Sequence, residues 1–205
     1  MMAITLYYHP LASFCHKVLI ALYEHGIDFE KRLINLGAAE DRAELASIWP
    51  ICKFPVIRDS ARGRDVPESS SIIDYLDHFY PGDAALVPQD WEAAHEVRLW
   101  DRFFDNYVQG PMQAIVFDRI TGSQGNMERE RTALGTAYQM IDQRMATRTW
   151  IAGDAFSMAD CAAAPALFYA ATVAPFPADA RGLADYFERL VARSSVRRVL
   201  EEAKP

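Results

Sequence analysis

Three short stretches in the first 72 residues combine side chains and backbone groups that could grip a small peptide and stabilise an anion on it. The first is Pro10-Leu11-Ala12-Ser13-Phe14-Cys15, leading into a run with helical spacing. A helix start presents unpaired N–H donors and partial positive charge, so a thiolate placed there is stabilised and a hydroxyl there can donate to it. Ser13 suits that task, and equally the commoner one of an N-cap. The second stretch is Cys52-Lys53-Phe54-Pro55-Val56. A proline opens a strand only where its missing N–H is not needed. A cis Phe54–Pro55 bond would turn the Phe54 N–H and C=O outward, to pair with a peptide as an added strand would; a trans bond is the more frequent form. The third is Pro67-Glu68-Ser69-Ser70-Ser71-Ile72. Ser69 and Ser70 stand at a predicted helix start, where N–H groups and hydroxyls can hold a carboxylate, and Glu68 can accept from an ammonium. Together they suit an amino-acid head group, although a plain capping run looks the same. A fourth motif, Phe156-Ser157-Met158-Ala159-Asp160 before CAAAPALFYAA, is read as structural: Ser-x-x-Asp is a capping-box variant.

The elements around these stretches follow from hydrophobic period and punctuation. Residues 3–8 alternate Ile4, Leu6 and Tyr8 against Ala3, Thr5 and Tyr7 and read as a strand that His9-Pro10 ends. Phe14, Val18, Ala21 and Leu22 recur at helical spacing from Ser13 to His25, and Gly26 closes that helix. A second strand over 28–34, a helix over 40–48, a hairpin from Pro55–Asp59 to Asp65-Val66, and a helix from Ser69 to Tyr80 complete the pattern. One crossover helix between the first two strands makes them parallel and right-handed in connection. The hairpin adds an antiparallel pair. The turn-rich PGDAALVPQD then ends all strand-like alternation. Val97, Trp100, Phe104, Tyr107, Val108 and Ile115 share one face of a long helix that Gly110-Pro111 should bend. Further helices are expected near 127–147, 158–173, 183–193 and 195–203. The predicted organisation is an α/β domain with a small mixed sheet over 1–81, a linker over 82–90, and an all-α helical bundle over 91–205.

Composition narrows the function classes. The chain has 205 residues, is 51% hydrophobic and carries a net charge of −7, which suits a soluble globular protein and argues against nucleic acid or an anionic membrane as partner. Cys15, Cys52 and Cys161 are odd in number and widely spaced, neither a disulfide framework nor a zinc site, and no metal is expected. His9, Pro10, His16 and Lys17 interrupt the N-terminal apolar run, so neither a leader peptide nor a membrane span is expected, and the reading is cytoplasmic.

Taken in order, these stretches resemble the cytosolic glutathione S-transferase family, of bacterial type, over essentially the whole chain. LYYHPLASFCHKVLIALYEHGIDFE is similar to the family's first strand, active-site turn and first helix; WPICKFPVI to its segment leading into a cis-proline; VPESSSIIDYL to its Glu-Ser motif; and FSMADCAAAPAL to the capping motif of its helical domain. The resemblance implies the glutathione transferase fold, an α/β thioredoxin-like N-terminal domain plus an all-α C-terminal helical bundle, with glutathione as co-substrate along the first domain. Its γ-glutamyl end would meet Glu68 and Ser69, its cysteinyl backbone would pair with Phe54 beside a cis Pro55, and Lys53 would lie near the glycine carboxylate. A small hydrophobic electrophile would sit near Phe103, Tyr107 and Pro111, residues that otherwise read as core. The resemblance also implies a homodimer and a role in detoxification.

The active-site turn departs from the family pattern. Aligned without gaps, the serine of several serine-type classes falls on Ala12. Cysteine-type classes can be aligned to Ser13, and tyrosine-type classes place their hydroxyl at Tyr8. The catalytic candidates are therefore Ser13 first and Tyr8 second, with backbone amides contributing in either case. Thiol transferases of this fold use Cys-x-x-Cys here, where this chain has Ala12-Ser13-Phe14-Cys15; only the inner thiol remains. The alternatives are a glutathione-binding scaffold or regulatory protein with little turnover, and a glutathione-dependent peroxidase or thiol transferase.

Overall fold

The computed structural model describes residues 3–83 and 85–204. They divide into two units: one runs through Leu86 and includes the chain from Arg197 on, and the other is Val87–Val196. The first unit contains β1 (Ile4–Tyr8), α1 (Ser13–Glu24), β2 (Phe29–Leu33), α2 (Ala39–Ile48), β3 (Val56–Asp59), β4 (Arg64–Pro67) and α3 (Ser69–Phe79). The strands form one sheet in the order β2-β1-β3-β4, with β1 parallel to β2 and the other two pairings antiparallel. This is the mixed sheet that the strand and helix periods predict.

Alternation along β1 explains the layers. Ile4 and Leu6 are fully buried on one face. Tyr7 points the other way and joins Ile34, Leu45 and Val56, with the partly buried Ile48, Trp49 and Phe54 packed around them. Helices α1 and α3 lie against each other, and α3 also meets β3 and β4. Gly26 closes α1 in the left-handed region at φ +62°, where glycine avoids a Cβ penalty; the Ile27 N–H reaches back to the Leu22 carbonyl at 3.0 Å.

The second unit holds α4 (Trp91–Phe103), a π-helical segment Phe104–Gln109, α5 (Gly110–Thr121), α6 (Glu128–Met145), α7 (Met158–Val173) and α8 (Arg181–Ala192); α9 spans Ser194–Glu202. Asp90 caps α4 by accepting from the Ala93 N–H at 2.9 Å. Helix α7 touches α4, α5, α8 and the π segment. That explains why its sequence is apolar nearly all round rather than on one stripe. The interruption expected at Gly110-Pro111 takes the form of the π segment: the Gly110 N–H bonds to the Asp105 carbonyl, five residues back, and Pro111 sits in the first turn of α5. Pro111 has no N–H to continue the ladder, and the wider π turn before it accommodates that break.

The sequence boundaries assign all of 91–205 to the helical domain, whereas the chain from Arg197 groups with the first unit. Glu202 accepts hydrogen bonds from Tyr23 Oη at 2.7 Å and Lys31 Nζ at 2.6 Å, contacts that helical periodicity in α9 could not reveal.

Candidate functional site

The sheet register brings the three N-terminal stretches to one place. Tyr7 pairs with Val56, and Val56 pairs with Pro67. The chain therefore leaves β1 into the Pro10–Ser13 turn, enters β3 from Phe54-Pro55, and leaves β4 into Glu68-Ser69, all at the same end of the sheet. Two side-chain contacts tie the stretches together. The His9 ring stacks on Phe54 with centroids 5.9 Å apart, and Lys17 Nζ donates to Ser70 Oγ at 2.9 Å.

At the first stretch the N-cap is Ala12, with extended backbone at φ −88°, ψ 116°, and Ser13 is the first helical residue. Ser13 thus stands one position past the cap, and no side chain caps α1. The turn is held instead by backbone and histidine. The Ala12 N–H bonds to the His9 carbonyl, and His16 Nε2 lies 2.5 Å from the Pro10 carbonyl. Burial lowers the His16 pKa, so at neutral pH its ring is uncharged and donates that bond as a neutral N–H. Cys15 is fully buried, and desolvation pushes its thiol up to about 12, so it stays protonated and inert. Tyr8 is half-buried and lines a narrow cleft with Pro10, His16, Leu19, Val199 and Glu202.

At the second stretch the Phe54–Pro55 bond is cis, Phe54 is half-buried and Lys53 is exposed. At the third, Glu68 is the N-cap of α3, yet its side chain makes no capping bond and is exposed, while Ser69 is buried in the first turn. Glu68 has φ +69°. A non-glycine residue there costs on the order of 1–3 kcal/mol, and such strain concentrates at ligand sites. Among the described residues only Cys52, Glu68 and Gln124 share this feature, and the first two border this end of the sheet. A plain capping run does not account for a glutamate in that conformation.

The remaining candidates lie in the helical unit. Phe103 is 7% exposed and Tyr107 59% exposed, with ring centroids 5.6 Å apart, and Pro111 is half-buried. Phe103 also packs on Trp100 and Phe104, so it is chiefly core. Sequence reasoning passed over His9, His16 and Lys17, which it treated only as interruptions of an apolar run. The available signal was Lys17, a charged residue one turn below Ser13 and directly before the apolar run Val18–Leu22. No described helix is long and apolar enough to cross a membrane.

Comparison with known proteins identifies the family and the fold. The family model for the glutathione S-transferase N-terminal domain matches residues 6–84, and that for the glutathione S-transferase C-terminal domain matches residues 103–194. A glutathione S-transferase-like protein, LUC7, from Fusarium sp is 27% identical over 75% of this chain and 71% of its own length. A stringent starvation protein A homolog from Coxiella burnetii is 27% identical over 98% of this chain and 92% of its own. Among solved structures, the glutathione transferase URE2P6 from Phanerochaete chrysosporium, in complex with oxidized glutathione, superposes with a TM-score of 0.89 at 20% identity, covering 98% of this chain and 96% of that one. A glutathione S-transferase from Methylobacillus flagellatus kt with GSH bound superposes at 0.82 with 26% identity, covering 96% and 98%. With both family models matched in order and most of the chain spanned between them, the protein belongs to the cytosolic glutathione S-transferase family.

Proposed function

We propose that this protein binds glutathione in extended form across the end of its sheet and conjugates it, through its thiolate sulfur, to a small apolar electrophile by addition or by displacement of a leaving group. One observation carries the reading: the register row Tyr7, Val56 and Pro67 sets the three gripping stretches side by side. Adjacent strands lie about 4.8 Å apart, so β1 to β4 is about 10 Å, the reach of three extended residues. In this reading the γ-glutamyl carboxylate meets Ser69 and the N–H groups opening α3, and its ammonium meets Glu68. The cysteinyl backbone pairs with Phe54 beside Pro55, and the glycine carboxylate lies near Lys53. The sulfur then rests at the start of α1. There the helix N-terminus and the Ser13 hydroxyl, with Tyr8 as second candidate, lower the thiol pKa from about 8.5 into the range of about 7 or below. The nucleophile is the bound thiolate; the protein contributes orientation and electrostatic stabilisation. The electrophile is assigned to the Tyr107, Phe103 and Pro111 face, where an exposed ring is available to apolar ligands. A homodimer in the cytoplasm, with a detoxifying role, is part of the same proposal.

The test is an ultraviolet difference spectrum of the protein titrated with glutathione at neutral pH. A thiolate band is expected, reduced in Ser13→Ala and retained in Tyr8→Phe; its absence in the wild type would end this mechanism. A second reading, a glutathione-binding scaffold with negligible turnover, draws on Ala12 and on the Coxiella burnetii relative, which covers nearly the whole chain and is not named a transferase. A panel of electrophiles, hydroperoxides and mixed disulfides separates the two, since a scaffold binds glutathione saturably and consumes none of them. Disulfide chemistry by the protein itself is opposed by the inert Cys15.

A further inference from the structure

Lys17 is 1% exposed, in the second turn of α1, four residues after Ser13. A lysine so deep in an apolar layer is costly to retain, because its ammonium must leave water and be met by fixed acceptors. Its Nζ donates to Ser70 Oγ at 2.9 Å, across from α1 to the first turn of α3. Ser70 follows the buried Ser69 and the strained Glu68, the two residues proposed to receive the γ-glutamyl head group. Lys17 therefore spans the two helix starts that must act on one ligand at once. Its own helix opens at the sulfur end, and its Nζ donates to the helix that opens at the carboxylate end.

We infer that Lys17 is a positioning residue that acts through Ser70. It fixes the first turn of α3 relative to α1, so that a carboxylate held at Ser69 leaves the attached sulfur at Ser13. The inference rests on the glutathione reading above, and it assigns Lys17 a ligand-specific task in place of general core support. An ammonium suits the task better than an apolar side chain would. A charged donor to the Ser70 oxygen fixes that side chain at the start of α3, where the neighbouring N–H groups meet an incoming anion.

The experiment compares two ligands on four proteins by isothermal titration. The ligands are glutathione and its analogue lacking the γ-glutamyl α-carboxylate; the proteins are wild type, Lys17→Met, Ser70→Ala and the double variant. Each single variant is expected to weaken glutathione about tenfold, the scale of one hydrogen bond to a charged group, with less than a twofold change for the analogue. The double variant should be no weaker than the worse single one, because both changes remove the same contact. Equal losses for both ligands would show that Lys17 merely supports the core, and additive losses would show that it does not act through Ser70; either overturns the inference. Unchanged glutathione affinity in Lys17→Met does so as well. Should Lys17→Met fail to fold by circular dichroism, Ser70→Ala alone decides, since wild-type discrimination between the two ligands in that variant also refutes the proposal. Failure of the wild type to bind glutathione would instead strike the functional reading itself.

Discussion

Two buried aspartates, one in each unit, accept four hydrogen bonds apiece and yet hold their protons in opposite ways. Asp59, where the β3–β4 hairpin begins, accepts from Tyr75 Oη and Tyr80 Oη at 2.7 Å and from the Ala61 and Arg62 N–H groups at 3.0 and 3.2 Å. Asp160, in the first turn of α7, accepts from Tyr186 Oη at 2.6 Å, from the Ile151 and Ser157 N–H groups at 3.2 and 2.9 Å, and from Ser157 Oγ at 3.0 Å. Burial is the largest influence on both and favours the neutral acid. At Asp59 the hydrogen bonds overcome it and the pKa falls below the usual value, whereas Asp160 is pushed up to about 6. The Asp59 surroundings open to solvent through Arg62, whose side chain is 40% exposed and whose guanidinium lies 3.7 Å from the carboxylate. Asp160 has the fully buried Tyr186 at its side. The number of donors is the same, so the depth of the surroundings and the Arg62 cation beside Asp59 set the two apart.

The comparison is broken most forcefully by removing each carboxylate. Asp160→Ala strands four donors in the interior of the helical unit and is expected to cost about 3–5 kcal/mol, enough to unfold that unit at modest urea concentrations. Asp59→Ala should cost less, about 1–3 kcal/mol, because the half-exposed Tyr80 and the hairpin N–H groups can turn to water. Hydrogen-exchange mass spectrometry separates the units, with α7 and α8 reporting the first variant and β3, β4 and α3 the second. Equal costs would show that depth is not what distinguishes the two sites.

The pH dependence sharpens the same contrast. Asp160 binds its proton more tightly folded, at about 6, than unfolded, at about 3.9. Its contribution to stability is therefore fully present below about pH 4, declines as pH rises to 6 and is flat above, a total of about 3 kcal/mol. Asp59 has the reverse sign: it stabilises above the unfolded value of about 3.9 and loses that contribution as pH falls through its lower folded value. Urea melts of Asp160→Asn and wild type from pH 7 to 4.5, followed by tryptophan fluorescence, should differ by this slope, the wild type gaining stability relative to the variant as pH falls. A pH-independent difference between the two proteins would reassign the slope to another group.

What sequence could and could not supply follows from the range of the forces involved. The Ser157-to-Asp160 capping box was readable because both partners lie within one turn. Asp59 was not, since its tyrosines are 16 and 21 residues away. The order of strands and helices followed from periods of 2 and 3.6. The meeting of Phe54, Ser13 and Glu68 at one sheet end depends on register, which no local pattern states; only the family resemblance anticipated it. Lys17 was missed for a related reason, because its partner is 53 residues on. The π segment was half legible: Gly110-Pro111 announced a break, while the five-residue step that absorbs it is a property of the surrounding helix.

The smallest effect concerns the ionic contacts at the end of α9. Glu202 accepts from Tyr23 Oη, Lys31 Nζ and Arg198 Nε at 2.7, 2.6 and 3.0 Å, nearly as many donors as either buried aspartate receives. Its side chain is 33% exposed and that of Lys31 31%, so water competes for every one of these bonds. Partial burial on its own would raise the Glu202 pKa; Lys31, Tyr23 and Arg198 together hold it below the usual value. If depth sets the worth of a carboxylate here, Glu202→Gln should lower stability by only about 0.5–1 kcal/mol at low salt. The difference from wild type should shrink by at least half in 1 M sodium chloride, where the screening length is about 3 Å. Thermal melts of both proteins at pH 7 and two salt concentrations measure this directly. A loss comparable to Asp160→Ala, unaffected by salt, would mean that this solvent-facing cluster is coupled to the sheet unit's core and that exposure is the wrong variable.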